Sequence, residues 1–464
     1  LNLNGTPVHC VGIGGAGVQA LAEFLIRSGA TVTGSDQADS EALLRLRRLG
    51  ARIAVRHDAA SVPAAARCLV YSPAVAEDNP ERQRARQLGV PQFSYPEMLG
   101  RLMATRFGVA VAGTHGKSTT TGMVGWILDQ AGLDPTVIVG AAVPQLGGPS
   151  RVGAGRAFVA ESCEFRRSFH HLEPQIAAIL NIEPDHLDYY SHLDEIIDSF
   201  AEFARRVPPG GLVLAHGNDD AVARATRGLK ASVETFSLGP GCTWWAADLR
   251  SDAGRYRFRV FRDGDYVTQV ALEVPGRHNV ENALAAIAIA RALDVSPATI
   301  RDAIEQFRGC GRRIESRGTW RGVTLIDDYA HHPSEVRASL RAVREMYPNR
   351  RIWCVFQPHQ LARTRVLFDD FARSFADADR VIIADIYLAR EAATDLAAQT
   401  ALQLAAAASE NGRDVRHLAQ TGTIVAYLER DLEPGDVLVT MGAGDIGKVA
   451  DAFARRVSRH RQAG

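Results

Sequence analysis

Val109-Ala-Val-Ala-Gly113-Thr114-His-Gly116-Lys117-Ser118-Thr119-Thr-Thr121 is the stretch whose reading decides the fold. An apolar, β-branched run ends in a tight glycine turn, and a helix-compatible segment then reaches about Gln130. Strand, glycine loop, Lys-Ser pair and helix in that order make a nucleotide-phosphate site. Loop and helix-terminal N–H groups attract phosphate, Lys117 neutralises it, and the Ser118 hydroxyl can ligate Mg²⁺. The usual P-loop spacing would place a glycine where this chain has Val111. The tighter form narrows the reading to ATP-using enzymes, with Gly113, Thr114, Gly116, Lys117, Ser118 and Thr119 as the expected ATP contacts.

Working outward, three α/β blocks appear. Residues 1–106 open with a strand from Val8 to Ile13 and the turn Gly12-x-Gly14-Gly15-x-Gly17. A helix follows to Arg27, then a strand from Thr31 ending at Gly34-Ser35-Asp36, and an apolar strand from Cys68 to Ser72. Gly12, Gly14 and Gly17 with Asp36 fit a dinucleotide fingerprint, which serves NAD or another diphosphate such as a UDP-sugar. Residues 107–310 continue with apolar strands at 157–160, 176–181 and 211–215, runs suited to a parallel sheet buried on both faces. From about Thr235 to Val274 short polar–apolar alternations predict an antiparallel appendage, before an alanine-rich helix near 279–292. Residues 311–464 read as strands at 323–326, 352–356, 381–384 and 437–440, with helices at 334–346, 364–375 and 395–409. The expected fold is therefore α/β with three domains. Rossmann-like N- and C-terminal domains flank a central P-loop ATPase-type domain.

Composition narrows the function. The 464 residues carry 53 Lys and Arg against 53 Asp and Glu, so no charge footprint for nucleic acid or a membrane surface exists. No apolar run of about 18 residues predicts a transmembrane helix. The start lacks the basic-then-apolar layout of a signal peptide. Six cysteines stand singly, without a CxxC pair, which argues against a zinc ribbon or a disulfide framework. A reduced, cytoplasmic enzyme is expected, acting as a monomer or weak homodimer, and Cys163 reads as a bystander thiol.

Four clusters carry chemistry. Glu161 and His186 each end a strand of the central block, where open α/β sheets bind ligands, so both are candidates to meet Ser118 around Mg²⁺ and phosphate. Glu183, Asp185 and Asp188 read as supporting or surface charges. Asn279 and Asn282 open a helix and either cap it or hydrogen-bond an adenine edge. Asp327-Asp328-Tyr329-Ala330-His331-His332-Pro333 ends another strand. Its adjacent histidines cannot easily face one way, which favours polar contacts to substrate or ribose over a metal centre. His359 and Arg363, after the next strand, offer a polar contact and a guanidinium for a carboxylate.

Together these motifs resemble the Mur ligases over essentially the whole chain. The resemblance rests on Gly12-Ile-Gly-Gly-Ala-Gly17, Gly34-Ser-Asp36, Gly113-Thr-His-Gly-Lys-Ser-Thr119, Asn181-Ile-Glu-Pro-Asp-His186 and Gly276-Arg-His-Asn279. Gly311-Arg-Arg313, Asp327-Asp-Tyr-Ala-His-His-Pro333, Phe356-Gln-Pro-His359 and Gly442-Ala-Gly-Asp445 complete it. It implies ATP- and Mg²⁺-dependent joining of L-alanine to UDP-N-acetylmuramate through an acyl phosphate, for peptidoglycan synthesis. By resemblance, Gly12, Gly14, Gly15, Gly17, Ser35, Asp36 and Ser72 hold the UDP-sugar. Lys117, Glu161, His186 and Arg313 are catalytic, and Ser118, Glu161 and His186 arrange the metal. Asn279, Asn282 and Asp328 take adenine and ribose. Tyr329, His331, His332, His359 and Arg363 form the amino-acid pocket. Two departures stand out: Ala160-Glu161-Ser162-Cys163-Glu164 replaces the family's Asp-Glu-Ser-Asp run, and Gln360 stands where an arginine is frequent. The competing readings are a sister ligase that adds a peptide, an NAD-dependent dehydrogenase and a P-loop switch ATPase.

Overall fold

Phe107–Ala112, the strand feeding the phosphate loop, runs through the middle of a ten-stranded sheet, with Val109 to Ala112 fully buried. The structure is a computed structural model that describes residues 3–389, 391 and 395–462. Its strands form three sheets. The first, wholly parallel, orders Arg52–Val55, Thr31–Asp36, Pro7–Val11, Cys68–Tyr71 and Gln92–Ser94. Pro7–Val11 lies centrally, so its glycine turn opens at the carboxyl edge where strand order reverses, the crevice in which such sheets bind ligands.

In the central sheet Phe107–Ala112 pairs in parallel with Ile176–Ile179 and Ala157–Glu161. The loops carrying Lys117, Glu161 and His186 therefore leave the same edge. Thr136–Val143 and Gly148–Arg151, not assigned from the sequence, extend the sheet on one side. On the other side the expected appendage is continuous with the sheet. Ser232–Leu238 and Trp244–Asp252 join it in parallel, and only the hairpins from Trp244 to Ala271 are antiparallel. Helix Lys117–Gln130 packs on helix His278–Ala292, which is buried along almost all its length, as an alanine-rich helix without a polar face must be.

The third sheet orders Glu315–Trp320, Val323–Asp328, Val437–Met441, Ile352–Phe356, Arg380–Ile383 and Asp414–His417. Its first strand is an antiparallel edge and the others are parallel. The helix expected at 364–375 is two pieces, Leu361–Val366 and Phe368–Ala372, broken at Leu367. All six cysteines are free, and no helix among the described residues is long and apolar enough to cross a membrane.

Candidate active site

Gly116 caps the helix Lys117–Gln130 with φ +82°, a left-handed conformation, and a β-carbon there would strike the Asn282 amide oxygen. Both constraints require glycine. The loop is tied to its neighbour: the His115 N–H donates to Asn181 Oδ1 at 2.7 Å, and the Glu183 N–H to Thr114 Oγ1 at 2.9 Å. Lys117 Nζ donates to the Thr114 carbonyl at 3.0 Å and pairs with Glu164 at 3.0 Å. Burial alone would lower the ammonium pKa, but Glu164, with Cys163 and Glu161, outweighs it and the pKa is raised, so Lys117 stays charged. Glu164 is the partner that sequence reasoning left unassigned. It is buried yet held ionised, because Lys117 and His186 outweigh the cost of burial.

Beside this loop lies a cavity of 370 Å³ lined by Gly116, Ser118, Asn279, Asn282, Arg313 and Asp328 among others. The two asparagines are a pair: Asn282 Nδ2 donates to Asn279 Oδ1 at 2.9 Å, and Asn279 Nδ2 to the Pro275 carbonyl at 2.6 Å. Asp328 takes the N–H groups of Ile314 and Ala330, both at 2.7 Å, and burial raises its pKa against the pull of Arg313. Much of its hydrogen-bonding capacity thus holds the third domain's first loop in place.

A second cavity, of 940 Å³, is bounded by all three domains: Gly15, Gly17 and Ser72 from the first, Ser118 and Glu161 from the second, Arg313 and Tyr329 from the third. Gly17 faces the Tyr95 ring, 2.8 Å from where a β-carbon would stand. Gly12, at φ +71°, shapes the turn, and Gly14 donates its N–H to Asp36 Oδ2 at 2.8 Å. Ser35, expected at the UDP-sugar, is a correction. It is fully buried and donates to Glu81 Oε2 at 2.8 Å, in a network with His9 and His57 that belongs to the core of the first domain.

Ser118 and Arg313 line both cavities. Arg313 lies over the Tyr329 ring at 4.9 Å and pairs with Glu335 at 3.8 Å. Glu161 opens to the larger cavity and accepts the Gly140 N–H at 2.7 Å. His186 sits on another set, 3.5 Å from Glu164 and 3.9 Å from Asp185. Burial pulls its pKa down, but these carboxylates raise it to about 10. Glu164, Asp185 and His186 form a metal-capable group, whereas the expected metal set was Ser118, Glu161 and His186.

The third-domain residues divide. His331 turns toward Glu335, 3.2 Å away, and His359, whose ring centre is 5.8 Å off. His332 turns the opposite way, onto the central domain. Its Nε2 donates to the Pro184 carbonyl at 3.2 Å and its ring stands 4.7 Å from that of His115. His332 therefore leaves the expected amino-acid pocket. Arg363 is a larger correction: its guanidinium is buried and closed on Asp185, so the carboxylate it binds is the protein's own. Asp185 is accordingly no surface charge; burial notwithstanding, the neighbouring cations hold its pKa well below the usual carboxylate range. Glu335, missed from sequence, joins His115 at 3.2 Å, His331 and Arg313. Its only sequence signal was an acidic residue in the first turn after His332-Pro333.

Three family models match the chain in succession: the Mur ligase family catalytic domain over residues 7–107, the Mur ligase middle domain over 111–290, and the Mur ligase glutamate ligase domain over 312–444. A UDP-N-acetylmuramate–L-alanine ligase of Caldanaerobacter subterraneus subsp. tengcongensis is 42% identical over 448 residues, covering 96% of each chain. The crystal structure of UDP-N-acetylmuramate-alanine ligase MurC from Thermotoga maritima superposes with a TM-score of 0.84 at 28% identity, covering 98% of this chain and 99% of that one. A murein peptide ligase from Psychrobacter arcticus follows with a TM-score of 0.74 at 25% identity, covering 97% and 98%.

Proposed function

The chain belongs to the Mur ligase family, and on that premise we propose that it joins L-alanine to UDP-N-acetylmuramate at the expense of ATP, for peptidoglycan precursor synthesis. One observation carries this reading beyond the likeness: Ser118 and Arg313 line the 370 Å³ and the 940 Å³ cavities alike. A phosphoryl group on a nucleotide in the smaller cavity faces the larger one across these two side chains. The smaller suits ATP, with Asn279, Asn282 and Asp328 toward the base and ribose. The larger suits the UDP-sugar, with its diphosphate at Gly15 and Gly17 and its lactate carboxylate toward Glu161 and Arg313. The first domain then serves the UDP-sugar, the central domain ATP and the third the amino acid.

Each residue has a physical task. Lys117 offsets charge on the β- and γ-phosphates, and its release from Glu164 accompanies nucleotide entry. Arg313 steadies the transferring phosphoryl group, with Tyr329 and Glu335 holding its guanidinium in place. A carboxylate is a poor electrophile; phosphorylation gives it a leaving group, and the alanine amine then attacks with loss of phosphate. The Ser118 hydroxyl and Glu161 carboxylate share one cavity and are the hard oxygen donors that suit Mg²⁺, with His186 and Glu164 toward a second position. Mg²⁺ bound there neutralises phosphate charge. His359 and His331, with Tyr329, outline the amino-acid pocket.

ADP release with UDP-N-acetylmuramate and a panel of free amino acids and short peptides is the test. L-Alanine should stimulate release most. Stimulation by a tripeptide and not by alanine would make the chain a peptide-adding ligase instead.

A further inference from the structure

The strongest unassigned feature is where the phosphate loop meets the third domain. His115 Nε2 and His332 Nδ1 both face Glu183 Oε2, at 3.7 and 3.6 Å, and one ligand atom from each of the three residues lies within 4.8 Å of the others. None of the three belongs to the Glu164–Asp185–His186 group. We propose that His115, Glu183 and His332 form a binding site for a transition-metal dication of the zinc type, joining the central domain to the third.

The tautomers support it. A carbonyl only accepts, so His332 Nε2, 3.2 Å from the Pro184 oxygen, carries the proton and leaves Nδ1 as a lone pair. The Ser334 N–H donates to that nitrogen at 3.3 Å, a helix-capping bond that an ion would displace. Glu335 Oε1 stands 3.2 Å from His115 Nδ1, which sets the proton on that atom and leaves Nε2 aimed at Glu183. Both nitrogens face one carboxylate oxygen, and the proton that His115 Nε2 shares with Glu183 is released when an ion binds. Each histidine is oriented through its other nitrogen, by a carboxylate or a backbone carbonyl, the arrangement that protein metal sites use. Both ring nitrogens of His115 are sealed from solvent, with Glu335 3.2 Å from one and Glu183 3.7 Å from the other. Ser334 Oγ donates to Glu183 at 2.6 Å and orients the third ligand.

The donor set discriminates among ions. Two imidazoles and a carboxylate suit zinc, cobalt or nickel and not Mg²⁺, which prefers oxygen. Tetrahedral ligands at about 2.0–2.1 Å from zinc stand roughly 3.4 Å apart, so the carboxylate–imidazole separations need only a small contraction. Glu183 and His115 also border the nucleotide cavity, which leaves the fourth position open to it. His115 and Glu183 belong to the central domain and His332 to the third, so an ion held by all three favours the docked arrangement.

Cobalt(II), a spectroscopic stand-in for zinc, tests this on the full-length protein after chelator treatment, with Mg²⁺ in excess to occupy oxygen sites. The expected result is one Co²⁺ per chain with the visible bands of four-coordinate nitrogen and oxygen ligation. Glu183→Gln and His332→Gln should each weaken binding at least tenfold, while His186→Ala leaves it unchanged. Circular dichroism checks that the variants fold, and the two act on different domains. Binding that ignores both substitutions, sulfur-to-cobalt charge-transfer bands, or no four-coordinate spectrum in the parent protein overturns the proposal.

Discussion

Arg363 of the third domain closes on Asp185 of the central domain, with Nη2 2.6 Å and Nε 2.8 Å from the same carboxylate oxygen. Both side chains are almost entirely buried, at 4% and 7% exposure. A guanidinium committed in this way is an inter-domain bond, and Arg363 Nη1 continues it to His359 at 3.2 Å. Removing Arg363 leaves Asp185 buried without its bidentate partner, with His186 3.9 Å away as the nearest remaining cation. Arg363→Ala should therefore destabilise the protein by about 3–5 kcal/mol. Replacing both partners, Asp185→Asn with Arg363→Met, should recover much of that loss. Denaturant titration of the parent protein and the two variants measures it. If Arg363→Ala leaves stability unchanged and only raises the alanine KM, the arginine faces the substrate after all.

Lys117→Ala should lower the ligation rate by a factor corresponding to about 3 kcal/mol or more in activation free energy. The structure adds a condition, because the substitution leaves Glu164 buried without its main cation. Pairing it with Glu164→Gln removes that penalty and separates folding from catalysis. Near-normal turnover by a folded Lys117→Ala chain would reverse the assignment.

Gly17→Ala puts a methyl group 2.8 Å from the Tyr95 ring, which is too close to stand. The ring must shift into the larger cavity, at a cost of about 1–3 kcal/mol. Calorimetry should show weaker UDP-N-acetylmuramate binding with ADP affinity unchanged. Equal losses for both ligands would mean that the turn serves the fold alone. Tight NAD binding without UDP-sugar binding would reassign it to a dinucleotide.

His278, at the start of the helix His278–Ala292, has its pKa lowered to about 4, chiefly by burial and further by Arg313, against Glu281 and Glu335. The folded protein thus resists protonation that the unfolded chain accepts near pH 6.5. The stability this contributes is complete above pH 6.5 and is lost as pH falls through 4, by about 3 kcal/mol at most. His278→Asn should flatten the stability profile between pH 6.5 and 4. An unchanged slope would place the acid sensitivity elsewhere.

The outline of the site was legible in the sequence wherever chemistry and backbone geometry coincide within a few residues. Gly113 to Thr119 requires a strand, a left-handed glycine and a helix start, and no other local structure satisfies all three. Gly12 to Gly17 was legible for the same reason, as were Asn279 and Asn282 at a helix opening. What composition concealed were elements without a strong period. Thr136–Val143 carries Gly140 and two alanines in its second half, and Asp414–His417 is a four-residue strand with Val415 as its one apolar residue. Each becomes a strand through its neighbours.

The sequence by itself determined three α/β domains, the phosphate loop and the family, because local pattern and residue type suffice for these. Only the tertiary structure decided which charges meet. Asp185 lies 178 residues from Arg363, Glu164 lies 47 from Lys117, and His115 and Glu335 come from different domains. Ser35 reads as a ligand contact beside Asp36, yet packing turns it inward to Glu81. A side chain's residue type states what it can bond, but the bond it makes depends on which partner the packed domains bring within about 3 Å and shield from water.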